Sequence, residues 1–462
     1  MNWLAVLIAL APENVLLVGI IVLIGVEVFA PRTRGALAIS LCTVAAAAGA
    51  AALLSGSGFA ATPFPGHFSV EPAWSLAKAV VLALAVPVLL LSRDEFSADG
   101  QFHILVLSSL YGFCLLLSAD SFLTLFLGLE LMALPVYVLV LLAFKRPESP
   151  EAALKYLVLG GTATAMFLMG VSLLYGGSGT LAISIFAAGL RSADSMATAG
   201  VTLVLLAFFL KGAIVPFHAW APDAYEGASI PVTAYMATII KAGVLLAALR
   251  LFGTEVVSFP TDDVLAFLPL LSIVWGNLAA MRQNSFRRMI AYSSIAHAGY
   301  LFYAFLGDGP GRFQAVLFYV LAYGVMNLLA FASIPPGGDD ATRDRLDNLH
   351  GLFQRSPYAA LMIGMAMLSL AGIPPFPGFV AKFLIFRNVM TAGYTVYAVL
   401  GLVGSYLGIY FYLRVIQFMF MNAATPATSP QASRGLALGA SLICLVTAMV
   451  IAILPGWVIG LF

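Results

Sequence analysis

Again and again this chain runs for about twenty residues with almost no charge, and no other feature limits its fold so severely. Each backbone amide inside a bilayer must find its partner within the span, so such runs have to be helices. On that criterion spans are placed near 15–30, 36–54, 72–92, 103–118, 120–143, 151–175 and 200–218. Further spans follow near 230–250, 264–281, 289–306, 312–334, 357–388, 395–421 and 436–458, about fourteen in total. With 62% hydrophobic residues, against about half in soluble domains, the fold class is an all-α polytopic membrane protein.

The same composition excludes several functions. A net charge of +1 offers no basic surface for nucleic acid. Cys42, Cys114 and Cys444 lie far apart in apolar runs, which fits neither a disulfide framework nor a cluster-ligand spacing, and they read as small core residues. Five scattered histidines give no metal-ligand spacing. The first apolar stretch lacks a basic region before it and a small-residue cleavage site after it, so the first helix is expected to be retained. The longest hydrophilic segment, 335–356, is too short for a soluble domain, which places any redox or nucleotide chemistry on another chain.

Loop charges give the topology, because Lys and Arg gather on the cytoplasmic side. Counted alternately, one side collects Arg32, Arg34, Arg93, Lys145, Arg146, Arg282, Arg287, Arg288, Arg343, Arg345, Arg355 and Arg434. The other has little beyond Arg191, Arg250 and Arg312. Both termini are therefore expected on the periplasmic side.

Two spans carry breaks. Ala371-Gly372-Ile373-Pro374-Pro375-Phe376-Pro377-Gly378 cannot continue a helix, and Leu210-Lys211-Gly212-Ala213-Ile214-Val215-Pro216 interrupts another. Interrupted helices in corresponding positions of two halves mark an inverted-repeat transporter. The breaks fall in the seventh and twelfth spans, so two inverted five-helix repeats are expected, each with a discontinuous helix. The divisions are 1–102 (three N-terminal helices), 103–250 (helices 4–8), 251–421 (helices 9–13) and 422–462 (helix 14).

Only 9% of residues are charged, yet four of the six lysines, Lys155, Lys211, Lys241 and Lys382, lie in or at the edge of apolar runs. An ammonium in hydrocarbon costs about 3 kcal/mol or more, so each needs a partner, a wet cavity or a function. Lysine, unlike arginine, can release its proton when desolvated. Glu130, near the middle of its span, is either a structural ion-pair member or a proton site, and the nearby lysines favour the second. Lys155 begins its helix after Glu148 and Glu151 and is free to snorkel. Lys211 and Lys241 sit near mid-span. His218, seven residues after Lys211, is placed close to the same helical face. Ser293 and Ser294 precede His297 by a helical turn, and either hydroxyl can share its face. A membrane histidine is as readily a hydrogen-bonded core residue as a proton carrier near pH 7. His67, His103 and His350 fall in or near loops and receive no role, and Tyr319, Tyr323 and Asn327, at helical spacing, read as packing or water-lining groups.

These motifs together resemble a known family. Gly128-Leu129-Glu130-Leu131, Lys155-Tyr156 and Lys211-Gly212-Ala213-Ile214-Val215-Pro216-Phe217-His218-Ala219-Trp220-Ala221-Pro222-Asp223 are similar to the antiporter-like subunits of proton-pumping NADH:quinone oxidoreductase, respiratory complex I. So are Pro231-Val232-Thr233, Lys241, Tyr292-Ser293-Ser294-Ile295-Ala296-His297-Ala298-Gly299-Tyr300, Met326-Asn327, Gly372-Ile373-Pro374-Pro375, Lys382-Phe383 and Tyr412-Leu413-Arg414. The likeness runs from about the fourth helix to the thirteenth. The wording around His297 is similar to the subunit N branch, and Lys382 stands where subunit M carries a glutamate. Three extra helices at the front resemble bacterial forms. One departure is Ser229, where the family usually has a proline; it falls in a connection and touches no proton site.

The resemblance implies roles by matching position. Glu130 and Lys211 would be the ion pair of the first half-channel, with Lys155 assisting. Lys241 and His297 would form the central connection and Lys382 the terminal site. It further implies a translocase subunit of the bacterial cytoplasmic membrane, coupling quinone reduction to proton pumping. Flavin, iron–sulfur clusters and quinone would sit on partner subunits, and antiporter-like subunit M and small subunits K and J would be neighbours. A subunit of a multi-subunit sodium/proton antiporter, or a mainly structural membrane subunit, are the competing readings.

Overall fold

A computed structural model describes residues 3–29, 35–96, 99–143, 146–192, 194–253, 261–307, 309–335, 344–423 and 435–462. Among the described residues thirteen helices are long and apolar enough to cross a membrane. The first six are α1 (Ala11–Phe29), α2 (Ala36–Gly56), α3 (Pro72–Leu91), α4 (Gly100–Ser118), α5 (Phe122–Leu141) and α6 (Ser149–Ser178). After α7 (Ser195–Gly212) comes the short α8 (Trp220–Gly227), then α9 (Ile230–Phe252), α10 (Thr261–Ala280), α11 (Phe286–Tyr303) and α12 (Gly309–Ala332). The expected long segment is two helices, α13 (Pro357–Ala371) and α14 (Pro377–Thr391), before α15 (Thr395–Met421) and α16 (Gly435–Ile453). At 1.5 Å per residue α13 and α14 are each about 22 Å long, short of the ~30 Å hydrocarbon core, so neither crosses alone.

Being apolar on all sides, these helices sort by neighbour rather than by polarity. α9 is buried throughout and α11 and α12 nearly so, while α1 and α16 leave most of their surface, including Val18, Ile21, Val446 and Ile453, facing outward. Small residues bring the inner helices close. A β-carbon on Gly112 of α4 would lie 2.4 Å from the Met132 backbone, and one on Gly170 of α6 would lie 2.7 Å from the Gly200 carbonyl of α7. These contacts set the distances between the helices that carry Glu130, Thr164 and Lys211.

The loops meet at two ends. At one end a hairpin, β1 (Ala61–Phe64) antiparallel to β2 (Phe68–Val70), bridges through Phe68 to Ala119 at the α4–α5 joint. The sequence reading left this stretch as a connection; the hairpin turns at Gly66, whose φ of 74° suits glycine. Arg250 donates to the Ala119 carbonyl and to Ser69, and Arg312 donates to the Gly253 and Gly307 carbonyls, each at 3.0 Å. At the other end Arg287 and Asp344 form a buried two-pronged pair at 2.8 and 2.9 Å, Arg146 reaches the Glu226 carbonyl, and Arg414 reaches Met281. Arg146 and Arg287 of one sequence-based group thus meet at the opposite end from Arg250 and Arg312 of the other; Arg32, Arg34, Lys145, Arg343 and Arg434 lie outside the described residues.

Both expected breaks are present, and they share one design. α7 closes with Ala213 N–H donating to the Leu210 carbonyl and Ile214 N–H to Phe209; α13 closes with Gly372 to Ser369 and Ile373 to Leu368. The capping residues are left-handed, Ala213 at φ 61° and Gly372 at φ 85°. The chain then crosses a proline-containing link before α8 and α14. In α9 a π-turn over Met236–Ile240 ends directly at Lys241, the kind of irregularity that re-aims a side chain.

Candidate functional site

Glu130 projects from α5, Thr164 from α6 and Lys211 from the last turn of α7, and the three close a triangle. Lys211 Nζ lies 2.9 Å from Glu130 Oε1 and 3.3 Å from Thr164 Oγ1, and that hydroxyl donates to Glu130 Oε1 at 2.5 Å. The pair is not sealed, with side-chain exposures of 9% for Lys211 and 18% for Glu130. The end of α7 leaves carbonyls open, and the indole N–H of Trp220 takes the Leu210 carbonyl at 2.8 Å.

From Lys211 a small cavity of about 20 Å³ runs along Tyr137, Tyr156, Trp220, Ile240 and Val244. A water needs about 10–15 Å³, so the cavity takes one. Ile240 and Val244 belong to α9, the helix that also carries Lys241. Among the described residues Lys241 has no carboxylate partner; its ammonium donates to the Ser294 carbonyl at 2.6 Å and to the Ser294 hydroxyl. Tyr225 of α8 places its hydroxyl 3.3 Å from the same Ser294 oxygen.

His297 stands one helical turn further along α11, between two phenols. Tyr319 O–H lies 2.8 Å from Nδ1 and Tyr412 O–H 3.1 Å from Nε2, and Tyr412 in turn meets Ser293 Oγ at 2.5 Å. Phenols both donate and accept, so each ring nitrogen can hold or release a proton without losing its partner. A cavity of about 10 Å³ joins His297, Tyr319 and Tyr323 to Ser369, Leu370 and Ala381 of the second break.

Beyond it lies Lys382, on α14. Its Nζ donates to the freed Leu370 and Ala371 carbonyls and to Ser405 Oγ, all at 3.0 Å, and sits 5.0 Å over the Tyr300 ring. Three acceptors match the three donors of an ammonium, and the carbonyls are the negative end of α13. On its far side Lys382 opens into a cavity of about 590 Å³ whose walls include Arg387, Phe379, Phe383 and Tyr406.

The structure therefore brings Glu130, Lys211, Lys241, His297 and Lys382 into one row. Lys155 lies off it: half-exposed at the arginine-rich end, it pairs with Glu151 at 2.6 Å and Asp223 at 2.7 Å, and Arg288 holds Asp223 and Glu226. Two expectations need correction. His218 does not share a helical face with Lys211, because α7 stops at Gly212; it accepts instead from Trp275 Nε1 at 3.1 Å. Cys42 is no core residue and faces outward. His103, expected in or near a loop, sits in the first turn of α4 but is wholly buried.

Sequence reasoning also missed Thr164, Tyr412 and the direct bond of Tyr319 to His297. Nothing in Thr162-Ala163-Thr164 distinguishes the threonine that meets Glu130 from the one that bonds back to Val158. The spacing of Tyr319 and Tyr323 was visible, but not the partner. Among the described residues no cluster of three or more His, Cys, Asp or Glu could hold a metal ion.

Residues 119–408 match the family model described as NADH:quinone oxidoreductase/Mrp antiporter, TM. The chain belongs to this family. The matched region begins at the α4–α5 joint and ends inside α15, so it contains every member of the row. Two relatives of this antiporter-like chain are named NADH-quinone oxidoreductase subunit N. That of Pelobacter propionicus is 38% identical over 423 residues, covering 91% of this chain and 90% of the relative. That of Desulfovibrio desulfuricans is 38% identical, covering 97% of this chain and 94% of the relative. A chain of respiratory complex I from Thermus thermophilus with bound aureothin superposes with a TM-score of 0.83 at 33% identity, covering 97% of this chain and 98% of its own. A chain of the Mrp complex from Dietzia sp. reaches a TM-score of 0.85 at 22% identity over 100% of this chain and 96% of its own, a likeness of fold alone.

Proposed function

We propose that this chain is a subunit N-type, non-redox, proton-translocating subunit of the membrane arm of NADH:quinone oxidoreductase, and that Glu130, Lys211, Lys241, His297 and Lys382 carry its protons. The observation behind this reading is the row itself, in which buried acid–base groups have small cavities beside Lys211 and beside His297. Buried ionisable groups inside a membrane are costly and mark ion paths.

The sequence of events follows from the partners. While Glu130 is charged and close, it pairs with the Lys211 ammonium at 2.9 Å. A charge shift arriving from a neighbouring subunit draws Glu130 away or neutralises it, and Lys211 loses its carboxylate partner. Its proton then moves toward Lys241 as the Lys241 ammonium, held on Ser294, hands its own proton on toward His297. His297, turning between Tyr319 and Tyr412, passes a proton toward the second break, and Lys382 holds it on three oxygens until the outer cavity is wet. Lys155, with Asp223 and Arg288, gathers charge at the arginine-rich end rather than transferring protons within the row.

In this reading the arginine-rich end faces the cytoplasm, both termini are periplasmic, and the membrane is the bacterial cytoplasmic one. The matching caps of α7 and α13 support two inverted repeats, 103–250 and 251–421, between the segments 1–102 and 422–462. Flavin, iron–sulfur clusters and quinone belong to partner subunits, with subunits M, K and J as neighbours. The enzyme class is then that of a translocase, entered as a subunit. The sodium/proton antiporter alternative draws on the shared family model and a likeness of fold, whereas the relatives above 30% identity carry the subunit N name.

Substituting Lys211→Met or Glu130→Ala in the assembled complex tests this function. Quinone reduction should keep its redox centres while protons pumped per electron fall. An undiminished ratio in both variants would reject it.

A further inference from the structure

Outside the row, the described residues hold a second triangle of glutamate, lysine and hydroxyl. Glu13 lies on α1, Lys78 on α3, and Ser118 is the last residue of α4. Lys78 Nζ is 2.6 Å from both Glu13 Oε1 and Ser118 Oγ, and Ser118 donates to Glu13 Oε1 at 3.3 Å. Unlike the first triangle, it is shut, with exposures of 1% for Lys78 and 2% for Glu13. Glu13 Oε2 is buried and has no donor among the described residues, so the carboxylate leans on Lys78 and Ser118. A groove of about 640 Å³ between α1 and α2 reaches the adjacent Asn14 but is not lined by Glu13.

What surrounds the triangle indicates its use. α1 is apolar and largely lipid-facing, so hydrophobic burial does little to fix its depth or rotation; polar contacts between membrane helices do. A buried pair is a strong register device, because losing one partner strands the other charge. Ser118 also abuts the joint on which α5 hangs. Ala119 is bridged to Phe68 and held by Arg250, Asp120 N–H donates to the His67 carbonyl at 2.9 Å, and Ser121 with Thr124 forms the capping box that starts α5. Glu130 follows nine residues later, about 13 Å along that helix.

We propose that Glu13, Lys78 and Ser118 form a positioning site, a sealed clamp that fixes the α4–α5 joint and hence the depth at which α5 presents Glu130 to Lys211, and that the pair exchanges no proton during turnover. The clamp rests on the proton-translocating reading of Glu130. Small displacements of a reacting group are costly: about 1 Å can lose about a hundredfold in rate.

The test uses the whole complex in sealed membrane vesicles, measuring assembled complex, quinone reduction and protons per electron. Lys78→Met strands Glu13 and should reduce assembled complex by about tenfold or more. The fraction that assembles should pump fewer protons per electron. The neutral double variant Glu13→Gln/Lys78→Met should restore both readouts to wild-type values, as should the exchanged pair Glu13→Lys/Lys78→Glu. Wild-type assembly in Lys78→Met would overturn the clamp. So would a double variant that assembles fully yet pumps poorly, since the pair would then be handling protons, or the failure of both double variants to assemble, since packing rather than the pair would then set the joint. Lys211→Met serves as the control: an unchanged ratio there would reject the role of the row, while the assembly results would still decide the clamp.

Discussion

Among the described residues the same triangle appears twice, and the two copies differ in access. Glu130, Lys211 and Thr164 sit partly open, with a small cavity beside Lys211 that reaches α9. Glu13, Lys78 and Ser118 are closed on all sides, with shorter bonds from the ammonium to both partners. Identical chemistry therefore does not fix identical use. A buried pair with a wet neighbour can release charge; one without is confined to holding helices together.

The largest expected difference between the two comes from neutralising each pair. Glu130→Gln/Lys211→Met should assemble and lose proton pumping by about tenfold or more in coupled rate, a proton-transfer effect. Glu13→Gln/Lys78→Met should assemble and pump normally. Like behaviour of the two doubles in vesicle acidification assays would erase the distinction.

A smaller effect is expected at Thr164→Val, which removes one hydrogen bond to a charged carboxylate, worth about 1.5–3 kcal/mol. Coupled turnover should fall by roughly tenfold, with assembly intact, as measured by quinone-dependent pumping. Ser118→Val at the closed triangle should act first on assembly, lowering it, and the fraction that assembles should show a smaller fall in protons per electron than Lys78→Met. Tyr319→Phe takes a neutral partner from His297, worth about 1 kcal/mol, so a loss of about fivefold in rate is expected, read from the same assay. Last, Lys155→Ala should leave turnover within about twofold, because its pairs with Glu151 and Asp223 are exposed and such pairs contribute about 1 kcal/mol or less. A severe loss there would bring Lys155 into the row.

Much of this was legible in the sequence. Apolar run length gave the spans, down to the tight α4–α5 turn, since α4 ends at Ser118 and α5 begins at Phe122. Glycine and proline gave both breaks, and mid-span charge gave the lysines and Glu130. What stayed hidden was which side chain faces which. In a soluble helix the polar face points away from the core, but a membrane helix is apolar all round and leaves rotation unwritten. Thr164 and Thr162 therefore looked alike, and Ser293 and Ser294 could not be divided between Tyr412 and Lys241. Glu13 and Lys78 were overlooked because they are 65 residues apart and each lies near a helix start, where a charge reads as interfacial. The misplacement of His218 had another cause: helical spacing was carried past the point where Gly212 ends the helix.

Lys382→Arg offers the most direct check on proton exchange by the buried lysines. The adjoining cavity of about 590 Å³ has room for a guanidinium, and the three oxygens around Nζ suit it. Arginine keeps the charge but effectively never releases its proton. In the assembled complex, protons translocated per electron should fall while quinone reduction and assembly persist. A wild-type ratio in Lys382→Arg would show that fixed charge alone is enough at this position, and would contradict proton exchange by the row.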